Sequence, residues 1–164
     1  MASLDVAGGR DWPTQCRVSP ERLQASLHER IPLSVALGVR VLRAEPGGVV
    51  VEAPLAPNVN HSGTVFGGSA SAVAMLAAWS LVEVRLEAAG QPGRIVVRRS
   101  GMDYERPITA GFIAAAQAPD EEEWTRLLQT LQRGRMGRIA IRSVLTCGGG
   151  RVGELEGEFA VIPP

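Results

Sequence analysis

The residues best equipped for chemistry gather in one stretch, NVNHSGTVFGGSASAVAMLAAWS, from Asn58 to Ser80. Asn58 and Asn60 carry amides that can orient a water or a carbonyl, and His61 carries an imidazole that accepts a proton near neutral pH. Gly67 and Gly68 stand where a long apolar run begins. If that run is a helix, its first amides lack intrahelical acceptors and carry the positive end of the helix dipole. Glycines there let a polar ligand atom approach the main chain, so the stretch reads as a place where charge building on an oxygen is stabilised. Each residue also has a plain structural reading. Asparagines at bends bond their own backbone, Thr64 reads as a loop brace, His61 as a loop histidine held by backbone, and Ser69 as the N-cap of a helix onto which the glycines turn the chain.

The elements that must position these groups follow from pattern and punctuation. SPERLQASLHERI predicts a helix capped by Ser19, with Pro20 in its first turn, Leu23, Leu27 and Ile31 four apart, and Pro32 ending it. Val39 to Ala44 and Val49 to Leu55 predict a hairpin turned by Pro46, Gly47 and Gly48. From Ala70 to Val82 only Ser71 and Ser80 are polar, and a helix apolar all round is buried. It is expected to surface at Glu83, Arg85 and Glu87 and to stop at Gly90, and it is too short in apolar residues for a bilayer span. RIVVRRSGMDYERPI, AGFIAAAQAP, MGRIAIRSVLTC and RVGELEGEFAVI predict four more strands. Between the second and third lies a charged helix with Trp124, Leu127, Leu128 and Leu131 on one face. A wrapped helix in so small a chain calls for an α+β fold, with an antiparallel sheet of about six strands around it. The helix face that the sheet leaves bare calls for a second copy, so a homodimer or a dimer of dimers is expected.

Composition narrows the partners. In 164 residues, 17 basic side chains balance 17 acidic ones, which removes the electrostatic case for nucleic acid or an anionic membrane. Cys16 and Cys147 lie far apart and have no metal-ligand spacing, so neither a metal nor a disulfide framework is expected, and a cytoplasmic location fits best. Residues 1–18 read as a flexible leader and 19–164 as one domain.

NHSGTVFGG, Asn60 to Gly68, resembles the Asn-x-x-Gly-Thr-x-His-Gly-Gly signature of hotdog-fold acyl-CoA thioesterases of the phenylacetate type, and DYERP, Asp103 to Pro107, is similar to their Tyr-x-x-Pro strand. With RGRMGRIAIRSVL, the likeness runs closest to the thioesterase domain at the C-terminal end of YiiD-type acetyltransferases. The resemblance implies a hotdog fold and hydrolysis of acyl-CoA or acyl carrier protein thioesters, with coenzyme A as part of the substrate and no separate cofactor. It assigns carbonyl polarisation to the Gly67 or Gly68 amide and water positioning to Asn60.

Two departures bear on mechanism. The helix carboxylate of the phenylacetate type falls on Met75, which takes no proton, and the histidine of the His-Gly-Gly triplet is Phe66. His61 is the first substitute as base and Asp103 the second, although strand alternation turns only one of Asp103 and Tyr104 inward. Glu83 lies too far along the helix. Asn58, Thr64, Phe66, Met75, Asp103, Tyr104 and Arg98 complete the expected substrate-binding set, with Leu76, Trp79 and Met102 as possible acyl-pocket walls. Arg98, Arg99, Arg133, Arg135 and Arg138 are the candidates for coenzyme A phosphates, each equally readable as surface charge. A non-catalytic acyl-thioester-binding module and a hotdog hydratase or dehydratase are the competing readings.

Overall fold

The computed structural model describes residues 18–164, so residues 1–17 of the expected leader, with Cys16, lie outside the described residues. Val18 belongs to the core instead of the leader. Six strands form one antiparallel sheet in the order β1, β2, β4, β5, β6, β3: β1 is Arg40–Glu45, β2 Gly48–Ala53, β3 Arg94–Tyr104, β4 Phe112–Gln117, β5 Gly137–Cys147 and β6 Gly150–Ile162. The helices are α1 Pro20–Arg30, the one-turn α2 Leu33–Ala36, the central α3 Gly67–Ala88 and α4 Glu121–Gln132. The α2 turn and a 3₁₀ turn at Ala56–Asn58 were not foreseen.

The sheet wraps α3 because its inward positions are apolar and mostly small. Val49 and Val51 of β2, Ala114 and Ala116 of β4, Ile141 and Leu145 of β5, and Leu155 and Phe159 of β6 are buried. They meet Val73, Ala74, Ala77, Ala78 and Leu81 of α3, where the alanines let helix and sheet approach closely. Extra residues in β1, β3 and β6, at Leu42, Arg98 and Val152, bend the sheet around the helix. Although α3 is long and apolar enough to cross a membrane, 67% of its most apolar window is buried inside the fold. This is an α+β hotdog architecture.

The central helix begins three residues earlier and ends six later than the apolar run alone predicts. It does not surface where its charges begin. Arg85 is only 2% exposed, because α4 and the Pro46 turn cover it. After Ala88, Gly90 takes φ +61°, and the amide of Gln91 donates to the Leu86 carbonyl, closing the helix end.

Two surfaces are left bare. β3 stands at the sheet edge, and none of its eleven residues is buried. On α3, Ala72, Met75, Trp79 and Glu83, spaced three and four apart, form a half-exposed stripe. α1 partly covers its far end, where Arg30 pairs with Glu83 and lies 5.3 Å from the Trp79 ring centroid.

Candidate active site at the start of the central helix

The loop before α3 is braced from within. The Asn60 carboxamide oxygen accepts from the amides of Ser62 at 2.8 Å and Thr64 at 3.2 Å, while its Nδ2 donates to Thr64 Oγ1 at 3.0 Å and to the Val65 carbonyl at 3.4 Å. Thr64 is a brace of that turn, as its type suggests. His61 is exposed on the turn. Asn58 is 1% exposed and donates to the carbonyls of Leu37 at 2.9 Å and Pro54 at 2.7 Å. Its Nδ2 is spent on tying the loop to the β1 and β2 ends, and its side chain is buried.

Three hydrogen bonds then aim the chain into the helix. The Val65 amide donates to the Ile108 carbonyl at 2.8 Å, the Phe66 amide to the Asn58 carbonyl at 2.7 Å, and the Tyr104 hydroxyl to the Gly67 carbonyl at 2.8 Å. The helix starts at Gly67, and Phe66 before it offers no side-chain cap. Ser69 is therefore the third helical residue and not the cap. The result is a helix N-terminus with no side-chain cap, headed by two glycines.

Two aromatic rings flank those glycines. Phe66 is 57% and Tyr104 56% exposed. A β-carbon on Gly68 would overlap the Phe66 ring, and one on Gly67 would come within 3.3 Å of Tyr104 Cζ. The rings hold the space that side chains at positions 67 and 68 would fill.

The remaining expected residues distribute as follows. Tyr104 and Asp103 are both exposed, and it is the Tyr104 hydroxyl that reaches the start of α3. Met75 lies on the same helix face as Gly68, about 10 Å along the axis at ~1.5 Å per residue, half-buried against the core. Arg98 pairs with Glu158 across β3 and β6. Among the described residues no group of three or more His, Cys, Asp or Glu side chains is placed to hold a metal. Two concavities lie elsewhere: a groove between α4 and β5 that includes Arg126 and Arg138, and another beside Gly38, Pro54 and Phe112. The start of α3 is an open surface beside the bare end of β3 and not an enclosed pocket.

Gly153 escaped the sequence reading. It pairs with Tyr104, and a β-carbon there would lie 2.6 Å from the Asp103 carbonyl oxygen, so its glycine lets the end of β3 close onto β6. A lone glycine early in a strand pattern was the signal available.

Comparison with known proteins agrees with this fold. Residues 20–163 match the family model described as "Putative thioesterase (yiiD_Cterm)". A putative thioesterase from Shewanella oneidensis is 29% identical, with 88% of this chain and 97% of that chain covered and a TM-score of 0.80. A Chlorobaculum tepidum protein of unknown function (23% identity, 88% and 94% covered, TM-score 0.83) and a probable thioesterase from Pseudomonas aeruginosa (21%, 90% and 97%, TM-score 0.73) share the fold. The family model spans nearly the whole described length of the chain, which therefore belongs to the family described as "Putative thioesterase (yiiD_Cterm)".

Proposed function

We propose that the protein hydrolyses acyl thioesters carried on coenzyme A or acyl carrier protein. The observation that carries the reading is the uncapped start of α3, where consecutive glycine amides stand between two exposed aromatic rings. A thioester carbonyl seated there has its oxygen against the amides of Gly67 and Gly68. When water adds to the carbonyl carbon, the oxygen becomes an oxyanion, and fixed donors at a helix end stabilise that charge more than they stabilise the ground state. Collapse of the tetrahedral adduct breaks the C–S bond, giving the carboxylic acid and the free thiol. His61, on the turn tied to the helix start, takes the water's proton and returns it to the leaving sulfur. Asn60 serves that water by shaping the turn, since its amide is already engaged within it. The acyl chain runs along the bare stripe of Ala72, Met75 and Trp79, where methionine adapts to chains of different shape.

A homodimer fits the same surfaces. An unpaired eleven-residue edge strand and a half-bare core helix are both relieved by a second copy, which would also wall the open site. A second reading, a module that binds thioesters without cleaving them, is favoured by one observation: the helix position expected to hold a carboxylate is Met75. Thiol release from acyl-CoAs of graded chain length, measured for the purified protein beside His61→Ala and Asp103→Asn, separates the two. Turnover lost in His61→Ala establishes the hydrolase and its base. No release, with acyl-CoA still raising the melting temperature, establishes the binding module.

A further inference from the structure

We propose that Tyr104 is a positioning residue that orients and polarises the Gly68 amide; this rests on the thioesterase reading of the helix start. The Tyr104 hydroxyl donates to the Gly67 carbonyl at 2.8 Å. That carbonyl and the Gly68 N–H belong to one peptide group. A hydrogen bond to the oxygen of a peptide draws electron density from its nitrogen, so the N–H becomes a stronger donor, and chained bonds reinforce each other by roughly 10–30% each. The bond therefore strengthens the donor that faces the oxyanion. It also fixes that peptide plane, which in the first turn of a helix has fewer restraints than later planes.

The surroundings show that the contact is built. Tyr104 is the last residue of β3, and Gly153 opposite it allows the Asp103 carbonyl to approach within 2.6 Å of the place a β-carbon would occupy. Directly after it, the amides of Glu105 and Arg106 donate to the Val152 carbonyl, and the Ile108 carbonyl takes the Val65 amide. The strand end is thus fastened to β6 on one side and to the helix entrance on the other, with the phenol between them. Gly67 completes the fit, because a β-carbon there would meet Cζ and the hydroxyl oxygen of Tyr104 at 3.3 Å. The ring itself is 56% exposed, so burial alone does not account for a tyrosine at this position.

The test exploits the fact that the chain contains a single tyrosine. Tyr104→Phe keeps the ring and removes the donor. Loss of a whole oxyanion donor typically lowers kcat by about 10²–10³. Here the donor remains but is weakened, so we expect kcat to fall about 5–20-fold with KM within about twofold. Uniform incorporation of 2,3,5-trifluorotyrosine alters only position 104 and makes the phenol acidic enough to ionise within the working pH range. A phenolate cannot donate to the Gly67 carbonyl, so kcat should fall as pH rises through that ionisation, and the natural protein should show no matching step. In parallel, the Gly68 amide proton, read by NMR, should move upfield in Tyr104→Phe. Unchanged kcat in a folded Tyr104→Phe protein, or an unmoved Gly68 amide, overturns the proposal. If the parent protein releases no thiol from any acyl-CoA, the hydrolase reading fails, and the Gly68 shift still decides whether Tyr104 acts on that peptide.

Discussion

Arg85 holds its guanidinium carbon 4.5 Å from the centroid of the Trp124 ring, joining the far end of the central helix to α4. The same guanidinium donates to the Pro46 carbonyl at 3.0 Å and to Glu121 at 3.1 Å. One buried cation thus gathers α3, the β1–β2 turn and the first turn of α4. Arg85→Ala removes all three contacts and leaves a cavity and an orphaned carbonyl. From an unpaired buried acceptor and a lost cation–π contact we expect about 3 kcal/mol of destabilisation, a fall in Tm of roughly 6–12 °C for a chain of this size. Glu121 is half-exposed and Gln keeps an acceptor for Arg85, but the buried cation loses its carboxylate, so Glu121→Gln should cost about 1–2 kcal/mol, less than Arg85→Ala. Thermal denaturation of both variants checks the asymmetry.

Gly153→Ala should be destabilising although the substitution adds one methyl to a strand. Its β-carbon would sit 2.6 Å from the Asp103 carbonyl oxygen and 3.0 Å from Met102 Cε. Backbone cannot move aside cheaply, and overpacking of this kind costs about 1–3 kcal/mol. Gly101→Ala, on the neighbouring strand, has open space around its β-carbon and serves as the control, with a change of less than about 0.5 kcal/mol. Equal effects of the two in a denaturation series would contradict this account of the β3 end.

These contacts mark where the sequence was readable. The string of elements and the wrapped helix were legible because alternation in β5 and the unbroken apolar run of α3 are local patterns that burial alone decides. The start of α3 was not. Gly67, Gly68 and Ser69 have poor helix propensity, yet the helix runs through them because their neighbours are fixed by long-range contacts, whereas its end at Gly90 was marked by the glycine itself. Arg85 is buried because Glu121 and Trp124, distant in sequence, come to it. Asn58 and Asn60 are the same residue two positions apart. One is buried under backbone carbonyls and the other folds a turn, a difference set by where Leu37 and Pro54 lie. Alternation left open whether Asp103 or Tyr104 turns towards the helix, and the partner of the Tyr104 hydroxyl, a single carbonyl on another element, was not legible at all.

Gly67→Ala and Gly68→Ala should separate stability from activity. Alanine in a helical first turn is favoured over glycine by up to about 1 kcal/mol, so neither variant is expected to unfold. The new methyl at position 68 must push the flexible Phe66 ring away, and the one at 67 presses on Tyr104. Both crowd the approach to the amides, so thiol release should fall at least about tenfold while Tm holds or rises. A variant with full turnover would move the oxyanion site away from that glycine.

Asn60 offers the sharpest choice between bracing and chemistry. Its side chain makes two accepting and two donating hydrogen bonds inside its own turn. Asn60→Asp keeps both acceptor bonds from the Ser62 and Thr64 amides, and the Thr64 hydroxyl can rotate to donate to the new carboxylate; only the long contact to the Val65 carbonyl turns repulsive. Asn60→Ala loses everything and should cost about 1–2 kcal/mol, in line with the loss of a local side-chain cap. If the residue acts by holding the turn that carries His61, Asp should keep kcat/KM within about threefold of the parent while Ala loses about tenfold, each tracking its own Tm. If instead the Nδ2 group itself holds the attacking water, Asp and Ala should be equally inactive despite their different stabilities. The engaged geometry of Nδ2 predicts the first outcome, and parallel measurement of kcat/KM and Tm on the two variants decides it.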